Sequence, residues 1–216
     1  LPNYYGLSMK GYKEAHEHVS FNDKLRALNE KQTYAYLDQK DTRLFYKLYF
    51  SVLDYVNALK QIIPNKKIDP NNYIEPDELV NLIEVFWKEK DRFIDDYVQK
   101  NPLNLTYRNL NIIKDFKYGM RKNFLLAVYE KNYTVLNDEG INYMVKGLNE
   151  NLDKFIPAEK TPMLIQTAIM PFNGMIIYDG FISTADMQLS QELVSKAFED
   201  YSYGQKIYSL LPKNMN

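Results

Sequence analysis

An aspartate and a glycine interrupt the apolar run Pro171-Phe-Asn-Gly-Met-Ile-Ile-Tyr-Asp-Gly-Phe-Ile-Ser183. A carboxyl in apolar surroundings keeps its proton to higher pH and can then serve as an acid or a base. On that reading Asp179 works with a tyrosine, Tyr178 or Tyr133, in a hydrolase-like site. The simpler reading is geometric: Gly180 adopts a conformation closed to other residues, a β-bulge forms, and Asp179 turns outward or accepts backbone N–H groups. No second ionisable group is identifiable beside Asp179, so the geometric reading is preferred. Asn173, Gly174 and Gly180 are then the structural residues of the segment.

Other candidate chemistry is sparse. His16 and His18 form a His-x-His pair that can ligate zinc from a strand. Completing such a site would take carboxylates or backbone, since there is no third histidine and no cysteine, and no metal is expected there. Asp95-Asp96 and Glu199-Asp200 are neighbours on helices, point about 100° apart and do not converge on one proton or metal. Asn65-Lys66-Lys67 reads as a short basic loop. Lys114, Lys117, Arg121 and Lys122 would line one helix end, where they suit the negative end of the dipole; a nucleic-acid contact is the functional alternative. Glycine-rich phosphate loops, Gly-x-Ser-x-Gly and His-Glu-x-x-His are missing, and no cofactor is called for.

Composition narrows the classes. The 27 basic and 28 acidic side chains leave a net charge of −1, so no overall field gathers nucleic acid or anionic membrane. No run approaches the roughly 20 apolar residues that cross a bilayer. We expect a soluble, cytoplasmic protein, and the lack of cysteine excludes disulfides and thiolate metal sites. The chain opens on Leu1-Pro2 rather than methionine, which leaves room for an upstream segment. The 19 tyrosines scatter through all elements and read as amphipathic residues at the edge of the core.

The elements that would position these residues follow from periodicity. Phe45, Leu48, Tyr49, Val52, Tyr55, Val56, Leu59, Ile62 and Ile63 mark one face of a helix over Leu44 to Ile63. Pro76 opens a second helical stretch, broken near Lys88 to Asp91 and stopped at Asn101-Pro102. Thr106 caps a shorter helix with Gly119 near its end. A sparser helix is expected over Asn22 to Leu37. From Asn123 the period changes to a meander, with strands at Asn123–Tyr129, Tyr133–Leu136 and Ile141–Gly147. A single helical turn is expected at Asn151 to Ile156.

Asn173-Gly174 then joins Met163–Phe172 and Met175–Ser183 as a hairpin. The expected pairs are Phe172 with Met175, Pro171 with Ile176, Met170 with Ile177, Ile169 with Tyr178, and Ala168 with Asp179. Pro171 lacks a donor, so its strand should be at an edge or unpaired there. Both faces of the hairpin are apolar and require helical cover. A last helix, from Asp186 to about Tyr201, would face inward through Leu189, Leu193, Ala197 and Phe198.

Several stretches carry a resemblance in consistent order between Leu44 and Ser183. They are Phe45-Tyr46-Lys47-Leu48-Tyr49, Asp54-Tyr55-Val56-Asn57, Phe93-Ile94-Asp95-Asp96-Tyr97 with Asn101-Pro102 and Leu105-Thr106, Tyr133-Thr134-Val135-Leu136, Val145-Lys146-Gly147-Leu148 and Met170 to Gly180. With these the chain resembles a family of uncharacterised bacterial proteins, some members of which carry a SEC-C zinc-binding tail. The resemblance implies a shared domain without an assigned activity, and it lends Asp179 no catalytic role. The cysteines of the SEC-C tail are not in this sequence.

The expected architecture is therefore α+β. A helical N-terminal half, about 20–121, packs on a mostly antiparallel sheet of about five strands, about 122–183, and a C-terminal helix at about 186–203 returns over it in one integrated domain. The expected function is that of a non-enzymatic binding or regulatory module, with another protein or a second copy of the chain as partner. The alternatives are an acid/base enzyme using Asp179 and a nucleic-acid contact through Lys114 to Lys122.

Overall fold

Asp38 starts the first long helix. Its carboxylate accepts the Asp41 amide at 2.7 Å, which satisfies a donor that a helix start otherwise leaves orphaned. Helix α1 runs Gln39–Lys60, short of the expected Ile63, and buries Phe45, Leu48, Tyr49, Val52 and Val56 as the spacing predicts, but Tyr55 is half-buried and Leu59 is 47% exposed. It begins ahead of the expected Leu44 because its first turn is polar and carries no apolar signal. The computed structural model describes residues 3–6, for which only the backbone is described, 35–184 and 189–212. The expected helix over Asn22 to Leu37 lies outside the described residues except at 35–37, which are not helical. There Tyr36 bridges Gly147, with Gly147 N–H donating to the Ala35 carbonyl at 2.7 Å.

Pro76 occupies the first turn of α2 (Pro76–Lys88), and the expected break falls at Glu89 before α3 (Lys90–Lys100). Asn101, at φ 41°, ends α3. Thr106 caps α4 (Tyr107–Asp115), and a 3₁₀ turn, Phe116–Tyr118, follows. Gly119 is not a left-handed helix stop, since its φ is −71°. Its role is closeness: a Cβ there would stand 2.9 Å from the Ile169 carbonyl and 2.9 Å from the Trp87 ring.

Among the described residues seven strands form the sheet: β1 (Asn3–Gly6), β2 (Met120–Tyr129), β3 (Thr134–Asp138), β4 (Ile141–Lys146), β5 (Met163–Phe172), β6 (Met175–Thr184) and β7 (Gln205–Ile207). The expected turn between β4 and β5 is the 3₁₀ turn Leu152–Lys154, and a second, Ala158–Lys160, follows it. The meander β2-β3-β4 is as expected, and β5 returns beside β2, which makes a Greek key. β6 then pairs antiparallel with β5 and parallel with β4, through Val145 with Ile176 and Lys146 with Ile177. The five strands thereby close into a small barrel, and β1 and β7 extend the outer edges of β6 and β4. The fold is α+β, with the expected sheet lengthened by two short strands.

The hairpin carries its predicted register from Phe172–Met175 to Ile169–Tyr178. Asn173 and Gly174 both have positive φ, 48° and 79°, as the tight turn requires. β2 pairs with β5 only as far as Ile169, so Pro171 owes no donor on that side. Substituting Gly174→Ala should cost about 1 kcal/mol, the strain of a left-handed alanine alone, because a Cβ there meets nothing within 4 Å. Urea denaturation of the variant measures it; a loss several times larger would show that the turn is not open.

One apolar cluster runs from α1–α4 into the barrel. Phe45 is at its centre, with ring centroids 5.4 Å from Tyr49, 5.7 Å from Phe172 and 6.2 Å from Phe116. Helix α5 (Gln191–Tyr203) covers the opposite side of β2-β3-β4, over a small cluster of Ala127, Val135 and Met144 joined by Tyr201. Its expected inner face is corrected. Ala197 is buried, but Leu193 and Phe198 are 49% and 54% exposed, and Val194 and Tyr201 flank Ala197 instead.

Candidate functional site

The register shifts in β5–β6 between Thr167 and Ile169, so the expected Ala168–Asp179 pair does not form. Thr167 pairs with Ile182, and three β6 residues, Asp179 to Phe181, stand opposite Ala168 alone. This is the expected bulge. Gly180 takes φ 95°, and the Asp179 carboxylate accepts the Phe181 amide at 3.1 Å. The Thr167 hydroxyl donates to the Phe181 carbonyl at 2.8 Å and ties the bulge across the ladder.

Asp179 does not turn outward, however. It is fully buried on the side of the hairpin that meets α1, and its Oδ2 accepts the Tyr49 hydroxyl at 3.2 Å. Burial pushes its pKa up to about 6, against the opposing pull of the Arg121 charge, the Phe181 amide, the Tyr49 hydroxyl and the Ala168 amide. Burial first, and then the Asp179 charge, holds the Tyr49 phenol well above its ordinary range. The Trp87 indole N–H approaches the Tyr49 oxygen without completing a hydrogen bond. Arg121 is buried as well; desolvation works against its charge, but Asp179 and an ion pair with Glu84 at 2.9 Å outweigh it.

The partners named from sequence are elsewhere. Tyr178 alternates to the other face of β6, opposite Ile169, and burial raises its phenol pKa. Tyr133 lies at the β2–β3 turn, edge-on to Tyr208 at 5.5 Å and under the Lys146 ammonium at 4.6 Å. Tyr49 and Arg121 carried no sequence signal as partners of Asp179, because they come from α1 and β2 and only the tertiary fold gathers them.

Lys114, Lys117, Arg121 and Lys122 do not line one helix end: α4 stops at Asp115, and the last two belong to β2. Three of the four are matched by acids, Lys117 with Asp95 at 2.9 Å, Arg121 with Glu84, and Lys122 with Asp138. His16 and His18 lie outside the described residues. Among the described residues no cluster of three metal-ligating side chains occurs, and no helix is long and apolar enough to cross a membrane.

A second place has the shape of a binding site. Residues Arg43, Lys47, Ser51, Tyr55 and Ala58 recur every three or four positions along α1, a stripe beside the buried one. They form one wall of a groove of ≈600 Å³. The 67–71 loop faces them. It is pinned by Asp54, whose Oδ1 accepts the Ile68 amide at 2.7 Å, and by buried Asn57, which bonds the Ile63 amide at 2.8 Å and the Lys66 carbonyl at 3.2 Å. Pro102 and Leu103 complete the rim. Their turn is fixed by Asn101, which accepts the Leu105 amide at 2.7 Å and donates to its carbonyl at 3.0 Å.

The groove's hydroxyls are committed as well. Ser51 donates to the Leu48 carbonyl at 2.7 Å and so accepts the Tyr97 hydroxyl at 2.8 Å. Tyr55 donates to Asp96 and accepts from Lys100. By contrast Arg43, Lys47 and Lys67 are exposed, and their side chains make no hydrogen bond or ion pair among the described residues. Lys66-Lys67 was the one trace of this groove in the sequence. Of that pair Lys66 is paired with Glu78 at 2.9 Å, and Lys67 lines the groove.

Comparison with known proteins finds no matching family model, no similar curated protein and no similar solved structure.

Proposed function

We propose that the chain is a non-enzymatic binding or regulatory module whose ligand occupies the groove along α1. One contrast supports this reading. The acid with the most altered chemistry, Asp179, is sealed in the core, while the groove is open, floored by apolar side chains and rimmed by three unpaired cations. Its volume lies within the range of about 300–1,000 Å³ over which small-molecule sites occur. An acid/base reaction at Asp179 would need substrate to reach a carboxyl enclosed by Tyr49, Arg121 and the β6 bulge. The resemblance to uncharacterised bacterial proteins and a cytoplasmic location belong to the same proposal, as does a protein partner or second copy that reads the state of the groove.

Thermal shift against a library of small organic acids, amines and neutral compounds tests the reading. A ligand at ten times its Kd should stabilise the wild type by about 1.4 kcal/mol, roughly 3–6 °C for a chain of this size. The shift should vanish in Lys47→Trp, which fills the groove from an exposed position beside Arg43. Ligands that act equally on both proteins would place binding elsewhere and remove the groove as the working site.

A further inference from the structure

The groove's own chemistry selects a class of ligand. We propose that it takes a small organic anion with an apolar body, a carboxylate on an acyl or aryl frame; this rests on the groove being the binding site.

Two acids line the groove, and both already serve the backbone. Asp54 holds the Ile68 amide, and Asp69 accepts the Asn71 amide and side-chain amide, each at 2.8 Å. An incoming cation would share carboxylates that each already hold the loop through Oδ1. The three cations are uncommitted, so an incoming anion gains charge-assisted hydrogen bonds without breaking any. Three cations against the carboxylates of Asp54 and Asp69 leave the groove a formal charge of +1, to which the pairs Lys66–Glu78 and Lys100–Asp96 add nothing.

Two of the cations share one end of the groove, and the third, Lys67, stands in the loop that Asp54 and Asn57 hold. Arg43 and Lys47 are one turn apart near the start of the stripe, and Ala58 lies about 22 Å farther along α1 at 1.5 Å per residue. Between the polar groups the lining has an apolar part, with Phe50 and Ile68 buried beneath and Ala58, Pro102 and Leu103, the last 55% exposed, nearer the rim. A ligand that covers Leu103 removes apolar surface from water while its carboxylate reaches Arg43 and Lys47. An inorganic anion would leave that surface bare, and a neutral apolar molecule would leave the cations unanswered.

Octanoate, 1-octanol and octylamine share one apolar chain and differ in charge, and all three are titrated below micelle concentrations against the isotopically labelled protein. Octanoate should shift the backbone amides of Lys47, Ser51, Lys67 and Leu103 saturably, at least tenfold more tightly than 1-octanol. The double variant Arg43→Glu/Lys47→Glu, both exposed and so compatible with an unchanged fold by circular dichroism, should lose that preference. If 1-octanol or octylamine binds the groove as tightly as octanoate, the anionic class is overturned while the groove stands as a binding site. If none of the three perturbs these amides, the proposal and the reading beneath it both fall.

Discussion

Between pH 3 and pH 8 the wild-type chain should lose about 3 kcal/mol of stability relative to Asp179→Asn. Asp179 titrates at about 6 in the folded chain against an ordinary value of 3.8. Between those values the folded state binds more protons than the unfolded state, so the free energy of unfolding falls as pH rises. Above pH 6 the full cost remains. At about 1.4 kcal/mol per pH unit the gap amounts to about 3 kcal/mol. Asparagine cannot titrate, yet its carbonyl can still accept the Phe181 amide, so the bulge keeps its internal tie. Urea denaturation of both proteins at the two pH values isolates the difference, since all other carboxyls are shared. Parallel responses would mean that Asp179 is not the proton-holding acid of the core.

Gly147→Ala should destabilise the chain by about 3 kcal/mol or more, a fall in melting temperature of roughly 6–12 °C. A Cβ at Gly147 would sit 2.0 Å from the Glu150 carbonyl oxygen and 3.3 Å from Tyr36. The first neighbour is backbone and cannot swing away. Gly147 also exchanges hydrogen bonds with Ala35 and Leu37, so any shift opens the seam that ties residues 35–37 to the end of β4. The contrast with Gly174→Ala is diagnostic: one glycine is needed for space and the other only for its φ. Differential scanning calorimetry of the two variants should rank them in that order, and equal losses would contradict the tight approach at Gly147.

What could be read in advance followed from local periodicity. The hairpin register was legible because Asn173-Gly174 sets the turn and alternation does the rest, and the stripe of α1 was legible because its apolar residues repeat every three or four positions. Legibility ended where a count is broken. At Ala168 two extra residues enter β6, and a period of two says only that Gly180 could absorb them. The face of α5 was misread because Leu193 and Phe198 are apolar but their surroundings are not. The helix lies on the outside of a barrel whose interior is already filled, so a small residue, Ala197, makes the close contact. The groove was hidden for a related reason: Arg43 and Lys47 look like any solvated helix flank until the 67–71 loop and Leu103 are folded against them.

The parallel seam between β4 and β6 governs how this chain meets its own copies. A sheet that joins its ends leaves few amides and carbonyls able to recruit another polypeptide by strand addition. Among the described strands the outermost are β1 and β7, of four and three residues. Templates so short offer little purchase for polymer growth, so the greasiest ribbon in the molecule, β5 with β6, is kept from propagating through its backbone.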